Sequence, residues 1–304
     1  MNPLVIGTRS SPLALWQASK VADCLAEAGI ETRLEKIRTS GDKHRIGPLA
    51  TRGGKGLFVK ELESALLEGR IHLAVHSLKD VPAALSRDFE LAACLPRADP
   101  RDCLVTRTGA TRLEDLPPGS VVGSCSPRRR SQLLHANPRV VVQDLRGNVE
   151  TRLQKVRQGT VGATFLAKAG LDRLGIWDSS IVVPLPLESM VPAAGQGIVA
   201  VEILASAEEV RSALKPIDHG PSALAAEAER SLVRHLGGTC VSPIGALARV
   251  EGNELTLTGY VGDPGGCKAL REEVHGTSGE ASALGERLAE RLNELGAQEL
   301  LPRI

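Results

Sequence analysis

The sequence predicts an α/β protein of two similar lobes followed by a small C-terminal α+β unit. Three observations lead there. Strand-like apolar runs alternate with helical patterns over the first two thirds of the 304 residues, the signature of parallel α/β layers. Two strand-to-helix junctions, Ile6-Gly7-Thr8-Arg9-Ser10-Ser11-Pro12 and Val122-Gly123-Ser124-Cys125-Ser126-Pro127-Arg128, share a glycine, hydroxyl residues and a proline-started helix. From Pro221 onward a long helix, a glycine-rich loop, an alternating strand and a final helix form a different pattern. The length leaves room for two or three domains, each burying its own core.

In order along the chain, the first lobe opens with a strand at Leu4–Gly7 and a helix over Pro12–Ala28, with Ser11 as N-cap, Pro12 at the first helical position and Gly29 just past the end. A strand over Thr32–Arg38, a helix over Leu57–Glu68 and a strand over Ile71–Val75 follow. Ser126 and Pro127 repeat the capping device. Either the lobes are structural repeats or helix capping has converged on the same residues; in both cases each junction offers backbone N–H groups to an anion. After Asn148 come a helix, Gly159, an apolar strand over Val161–Ala167 and a short helix toward Leu174. Gly195-Gln196-Gly197 leads into a further strand, Ile198–Ile203. The last unit carries a helix from Pro221 to Leu236, the loop Gly237-Gly238-Thr239-Cys240, a strand over Glu254–Val261, the turn Asp263-Pro264-Gly265-Gly266 and a final helix.

Composition narrows the function classes. With 42% hydrophobic and 24% charged residues, and no apolar run near the roughly 20 residues of a membrane span, a soluble globular protein is expected. The chain starts directly on a strand, without a signal-peptide pattern, so a cytoplasmic protein with no membrane partner is expected. The six cysteines form no CxxC pair, which disfavours zinc and disulfide frameworks, and no metal is expected. A net charge of +1 conceals one basic stretch: between Cys125 and Arg173, eight Arg and two Lys face only Asp144, Glu150 and Asp172. Arg outnumbers Lys there, and the guanidinium fork suits two-point recognition of carboxylate or phosphate. The competing account is a solvated helix face.

Three segments carry candidate chemistry. Cys240 follows a helix in a glycine-rich loop and lacks a convincing His partner, because His235 can as easily face solvent; covalent attachment fits better than acyl transfer. His76-Ser77-Leu78-Lys79-Asp80-Val81-Pro82 follows an apolar strand, where open α/β sheets place ligands. Asp80 there can stabilise a developing cation or accept N–H bonds, or it can form a structural ion pair with an Arg. Gly53-Gly54-Lys55-Gly56 lacks the phosphate-loop spacing, so a nucleotide site is rejected in favour of a lid carrying Lys55 to an anionic substrate.

Together these motifs resemble the porphobilinogen deaminase family over nearly the whole chain. The resemblance rests on Arg9-Ser10-Ser11-Pro12-Leu13-Ala14-Leu15-Trp16-Gln17-Ala18, Gly54-Lys55-Gly56-Leu57-Phe58-Val59-Lys60-Glu61-Leu62-Glu63 and Ala74-Val75-His76-Ser77-Leu78-Lys79-Asp80-Val81-Pro82. It continues through Leu145-Arg146-Gly147-Asn148, Thr151-Arg152-Leu153, Ala169-Gly170-Leu171, Arg173-Leu174-Gly175, Pro192-Ala193-Ala194-Gly195-Gln196-Gly197 and the Cys240 loop ending in Pro243-Ile244-Gly245. Two places depart from the family pattern: Thr51-Arg52 replaces a Lys-apolar pair, and Pro127 replaces a Leu.

The resemblance implies two doubly wound domains like type II periplasmic binding proteins, residues 1–97 with 196–216 and residues 98–195, and an α+β domain over 217–304. It implies a dipyrromethane cofactor in thioether linkage to Cys240, porphobilinogen as substrate, hydroxymethylbilane as product and a monomeric enzyme. Asp80 would be the catalytic carboxylate. Arg9, Ser11, Lys55, Ser77, Lys79, Ser126, Arg128, Arg129, Arg146, Arg152, Arg173 and Gln196 would bind the carboxylates of cofactor and substrate. Two other classes compete: a non-catalytic anion-binding protein of the same two-lobed fold, and a nucleic-acid binder suggested by Arg128-Arg129-Arg130. Near-neutral charge and 2% aromatic content weigh against the latter.

Overall fold

A computed structural model describes residues 3–37, 59–239 and 241–302. The first lobe is built from β1 (Leu4–Thr8), α1 (Pro12–Glu27), β2 (Thr32–Lys36), α2 (Lys60–Leu67), β3 (Leu73–Ser77) and β4 (Phe89–Cys94). The second contains β5 (Asp102–Thr106), β6 (Val121–Gly123), α3 (Pro127–Ala136), β7 (Val141–Gln143), α4 (Val149–Arg157), β8 (Ala163–Ala167), α5 (Lys168–Arg173) and β9 (Val182–Pro184). Then β10 (Val199–Leu204) returns to the first sheet, and α6 (Glu208–Leu214) follows. The last unit holds α7 (Gly220–His235), β11 (Ile244–Glu251), β12 (Glu254–Gly262), β13 (Ala269–Thr277), α8 (Ala281–Glu294) and α9 (Ala297–Leu300).

The two five-stranded sheets have the same topology. Their orders are β2-β1-β3-β10-β4 and β7-β6-β8-β5-β9. In each, three strands run parallel and the fourth runs antiparallel, with β10 pairing β3 from Val199↔Ser77 and β5 pairing β8 from Asp102↔Ala167. The antiparallel strand is in each case the one nearest the chain's crossing between the lobes. The repeat expected from the two junctions is therefore architectural: Ser11 and Ser126 both cap the helix after the first strand of their lobe. The third sheet is an antiparallel meander, β11-β12-β13, covered by α7 and α8.

Apolar faces explain the packing. Ala18, Val21 and Leu25 of α1 recur at helical spacing and bury against Ile6, Leu73 and Val201 of the first sheet. In the last unit Ala228 and Leu232 of α7 interlock with Leu284, Leu288 and Leu292 of α8 over Leu257. The strand expected over 71–75 runs instead over Leu73–Ser77. Ile71 donates its amide to the Ala65 carbonyl at the end of α2, 3.3 Å, and packs with Leu62 and Leu66, so it serves the helix end rather than the sheet.

Candidate active site

The edge of β3 turns at Ser77 into a short 3-10 segment, Leu78–Asp80. Leu78 is anchored in the core at 1% exposure. That leaves Lys79 half-buried and Asp80 exposed on the side where strand ends of an α/β sheet face a ligand crevice. Lys79 Nζ donates to Oε1 of Gln196 at 3.2 Å, and Gln196 Nε2 donates to the Pro100 carbonyl at 2.7 Å, so the segment entering β10 fixes the lysine. Gln17 of α1 donates to Ser77 Oγ at 2.7 Å. Burial and the Arg129 guanidinium lower Lys79 from 10.5 to about 8. Asp80 pulls the other way on Lys79 and also on Arg152, so its carboxylate is within electrostatic reach of both lobes.

At the second junction Ser126 Oγ accepts the Arg129 amide at 3.4 Å, as Ser11 Oγ accepts the Ala14 amide at 3.3 Å. Both hydroxyls therefore cap a helix; Arg9 lies half-buried just before the first of these caps. Proline at the next position starts α3 and points Arg128 and Arg129 inward, where they are 4% and 7% exposed. Both meet Asp102, fully buried at the start of β5. Arg128 Nη1 donates to Asp102 Oδ2 and to the Val191 carbonyl, each at 2.7 Å. Arg129 donates to Asp102 Oδ1 through Nε at 2.9 Å and Nη2 at 2.6 Å, and to the Phe165 carbonyl at 3.1 Å. Burial alone would raise the Asp102 carboxyl, but the two guanidiniums outweigh it and hold the group well below the usual carboxylate range. Two cations against one carboxylate leave this corner positive.

Three further arginines stand around it. Arg152 of α4 donates from Nε to the Gly147 carbonyl at 2.9 Å, and burial lowers it to about 10. Arg146 is half-buried in the loop preceding α4. Arg173, at the end of α5, donates to the Gly197 carbonyl at 2.6 Å and lies 5.5 Å over the Trp16 ring, so it links the second lobe to α1 and to the β10 entry. Not all of the basic stretch serves this region. Arg157 pairs with Asp178 at 2.8 Å, Lys168 pairs with Asp172 at 2.6 Å, and Arg130 donates to the Pro264 carbonyl at 3.3 Å.

One cavity gathers Lys79 from the first lobe, Ser126 and Arg128 from the second, and Arg230, Thr239 and Ser242 from the last unit. Ser242 Oγ accepts the Thr239 amide at 3.0 Å and closes the loop on itself. Thr239 and Ser242 bracket Cys240 in sequence; Cys240 and Lys55 themselves lie outside the described residues. No trio of His, Cys, Asp or Glu among the described residues is grouped to hold a metal ion, and no helix there is long and apolar enough to cross a membrane. A cavity ringed by guanidinium, ammonium and hydroxyl groups can hold an acid with several carboxylates.

Comparison with known proteins agrees with that chemistry. Residues 4–212 match the family model described as "Porphobilinogen deaminase, dipyromethane cofactor binding domain", and residues 223–294 match "Porphobilinogen deaminase, C-terminal domain". The chain belongs to the porphobilinogen deaminase family. A porphobilinogen deaminase of Bordetella parapertussis is 45% identical over 303 residues, 99% of this chain and 96% of that protein. One from Pelotomaculum thermopropionicum is 45% identical over 302 residues, with the same coverage. Among solved structures, an ancestral arginine-binding protein bound to arginine aligns over 71% of this chain and 91% of that chain, at 14% identity and a TM-score of 0.42.

Residues that family motifs did not bring forward complete the region. Asp102 holds Arg128 and Arg129; its only sequence signal is an acid opening the otherwise apolar strand Cys103-Leu104-Val105. Glu229 of α7 accepts from Arg97 at 2.5 Å, from the Gly195 amide at 2.6 Å and from the Ala248 amide at 2.7 Å, fastening the porphobilinogen deaminase C-terminal domain to the lobes. Arg230 lies beside it with no sequence signal beyond its helix position.

Proposed function

We propose that this chain is a hydroxymethylbilane synthase that joins four porphobilinogen molecules head to tail onto a primer held by Cys240. In each addition the aminomethyl C–N bond of porphobilinogen breaks, ammonia leaves, a C–C bond forms to the α-carbon of the terminal pyrrole, and that carbon loses its proton. Hydrolysis then frees hydroxymethylbilane. A dipyrromethane held in thioether linkage by Cys240 would supply the first pyrrole α-carbon. The single observation that carries this reading is that Lys79, Ser126 and Arg128 of the two lobes line the same cavity as Thr239 and Ser242, which stand one residue before and two residues after Cys240 in the sequence.

The donor set suits such a group, since every pyrrole brings two carboxylates and the cavity brings cations in excess of carboxylates. Arg9, Ser11, Lys55, Lys79, Ser126, Arg128, Arg129, Arg146, Arg152 and Arg173 would hold carboxylates of primer and substrate. Ser77 and Gln196 position the Asp80 turn and Lys79. Asp80 is the catalytic carboxylate: it accepts pyrrole N–H bonds and stabilises the cation left on porphobilinogen as ammonia departs. The enzyme works as a cytoplasmic monomer without nucleic-acid, membrane or metal partners, and its domains are 1–97 with 196–216, 98–195 and 217–304.

The test is ammonia release and porphobilinogen consumption by the purified chain beside Asp80→Asn. Wild type releases one ammonia per porphobilinogen, and Asp80→Asn lowers kcat by about 10²- to 10³-fold, the effect of losing one pre-organised electrostatic group. Equal rates in the two proteins would remove Asp80 from the chemistry, and no ammonia from wild type would overturn the assignment.

A further inference from the structure

Two polar side chains interrupt an apolar face of the first sheet. Ala74 packs there with Leu62 and Leu66 of α2, and Ala200 packs with Leu78 and with Ala226 of α7. His76 and Glu202 alternate with those alanines along β3 and β10, so they point to the same face, where they are 6% and 0% exposed. His76 Nε2 lies 3.0 Å from Glu202 Oε2. A carboxylate only accepts, so the imidazole N–H donates. The other oxygen, Glu202 Oε1, has no hydrogen-bond partner among the described residues; the charge of Glu202 acts on Arg230 of α7 and on Glu63 of α2.

Stability does not account for the His76–Glu202 pair. Burial takes water from both groups, and replacing such a pair by apolar side chains of similar volume is often neutral or stabilising. What a buried polar pair does contribute is register. The two residues are 126 positions apart, so no turn aligns their strands. Ala200 stands opposite His76 and Glu202 opposite Ala74, so the bond runs diagonally across the ladder and a slip of either strand breaks it. On its other side β10 shifts register against β4 at the same point: Val201 pairs with Ala93 but Glu202 with Leu91, an irregularity of the kind that re-aims a side chain.

The register in question is that of the end of β3. His76 stands four residues before Asp80. Ser77 is held from the opposite face of the sheet by Gln17 of α1, at 2.7 Å, and Leu78 donates its amide to the Ile198 carbonyl just before β10, at 3.0 Å. The strand is thus pinned on both faces immediately before the turn that carries Lys79 and Asp80. We infer that His76 is a positioning residue for the proposed reaction: its bond to Glu202 sets where the Asp80 carboxylate stands against the pyrrole N–H groups. This rests on the function proposed above.

The experiment follows ammonia release by the full-length holoenzyme and its His76 variants, at a temperature below every unfolding transition and with rates referred to folded, primer-loaded protein. His76→Leu removes the donor and lowers kcat about 10- to 100-fold with KM changed by less than about twofold, because a misplaced carboxylate is felt in the transition state rather than in binding. His76→Gln, whose amide nitrogen reaches the position of Nε2 and donates to Glu202, returns kcat to within about threefold of wild type. Should His76→Leu fail to fold, His76→Asn, whose amide stops at the position of Nδ1, takes its place and shows the same loss. A kcat within about twofold of wild type in the variant without the donor overturns the inference even where its melting temperature falls, since the pair would then be structural alone. Equal losses in that variant and in His76→Gln overturn it as well, because the bond to Glu202 would not be what matters. In both cases wild type still releases ammonia and the proposed function stands; no ammonia from wild type overturns both.

Discussion

Replacing Asp102 by Asn removes the carboxylate on which two buried guanidiniums converge while keeping the side chain's shape. Asp102 is fully buried and accepts from Arg128 at 2.7 Å and from Arg129 at 2.9 and 2.6 Å. An asparagine can still accept through its oxygen, but its amide N–H groups would face a guanidinium donor, and two adjacent cations would lose their shared counter-charge. Breaking a buried ion pair from one side costs about 3–5 kcal/mol. At about 2–4 °C per kcal/mol for a chain of this class, the melting temperature falls by roughly 6–20 °C. The pH dependence gives a second reading. Folding holds the Asp102 carboxyl below its ordinary value, so the folded state binds fewer protons than the unfolded one in the acid range, and stability falls as pH falls. Its contribution is complete above about pH 5 and is lost progressively at lower pH. Calorimetric unfolding from pH 3 to 7 should show Asp102→Asn with a large loss at pH 7 that is only partly reduced at pH 3, because the folded-state carboxyl is still ionised there. A change under about 2 °C at pH 7 would refute the claim that this carboxylate holds the two arginines.

Lys79, lowered to about 8, loses its charge as pH rises through that value, so kcat/KM for porphobilinogen should show an alkaline limb near pH 8. Lys79→Arg, whose guanidinium stays charged to about pH 12, should move that limb up by more than one unit; an unmoved limb assigns it to another group. In stability the slope has the same sign as that of Asp102 but lies in the alkaline range: the depressed value makes the Lys79 contribution rise with pH between about 8 and 10.5, and Lys79→Met should flatten that rise in denaturant titrations. Gly197 sits at φ +91°, and a Cβ there would collide with the Ala98 carbonyl oxygen. Gly197→Ala should therefore cost about 1–3 kcal/mol in urea unfolding and disturb the Arg173 bond to its carbonyl; an unchanged midpoint would contradict the strain.

Much of the fold was legible because strand and helix periods are local. The strand-to-helix junctions at Ser11 and Ser126 announce both their caps and the lobe repeat, since N-capping needs only a hydroxyl and the next few amides. The short strands β7 and β9 escaped notice because three residues are too few for a period, and β5 because Asp102 opens it with a charge. The site divides the same way. Lys79 and Asp80 were readable as residues at a strand end, whereas the pairing of Arg128 and Arg129 with Asp102 joins positions 26 and 27 residues apart through the sheet order. Sequence charge counting treated the whole basic stretch as one anion site. The structure divides it, with Arg157 and Lys168 neutralised by their own ion pairs and Arg173 drawn to Gly197.

Covalent priming at Cys240 is the central claim, and intact-protein mass spectrometry tests it most directly. The full chain and Cys240→Ser are expressed in a host that makes porphobilinogen and weighed after purification. The account predicts that wild type alone carries the added mass of two linked pyrroles. If neither protein carries it, or if both do, Cys240 is not the anchor and the account is contradicted.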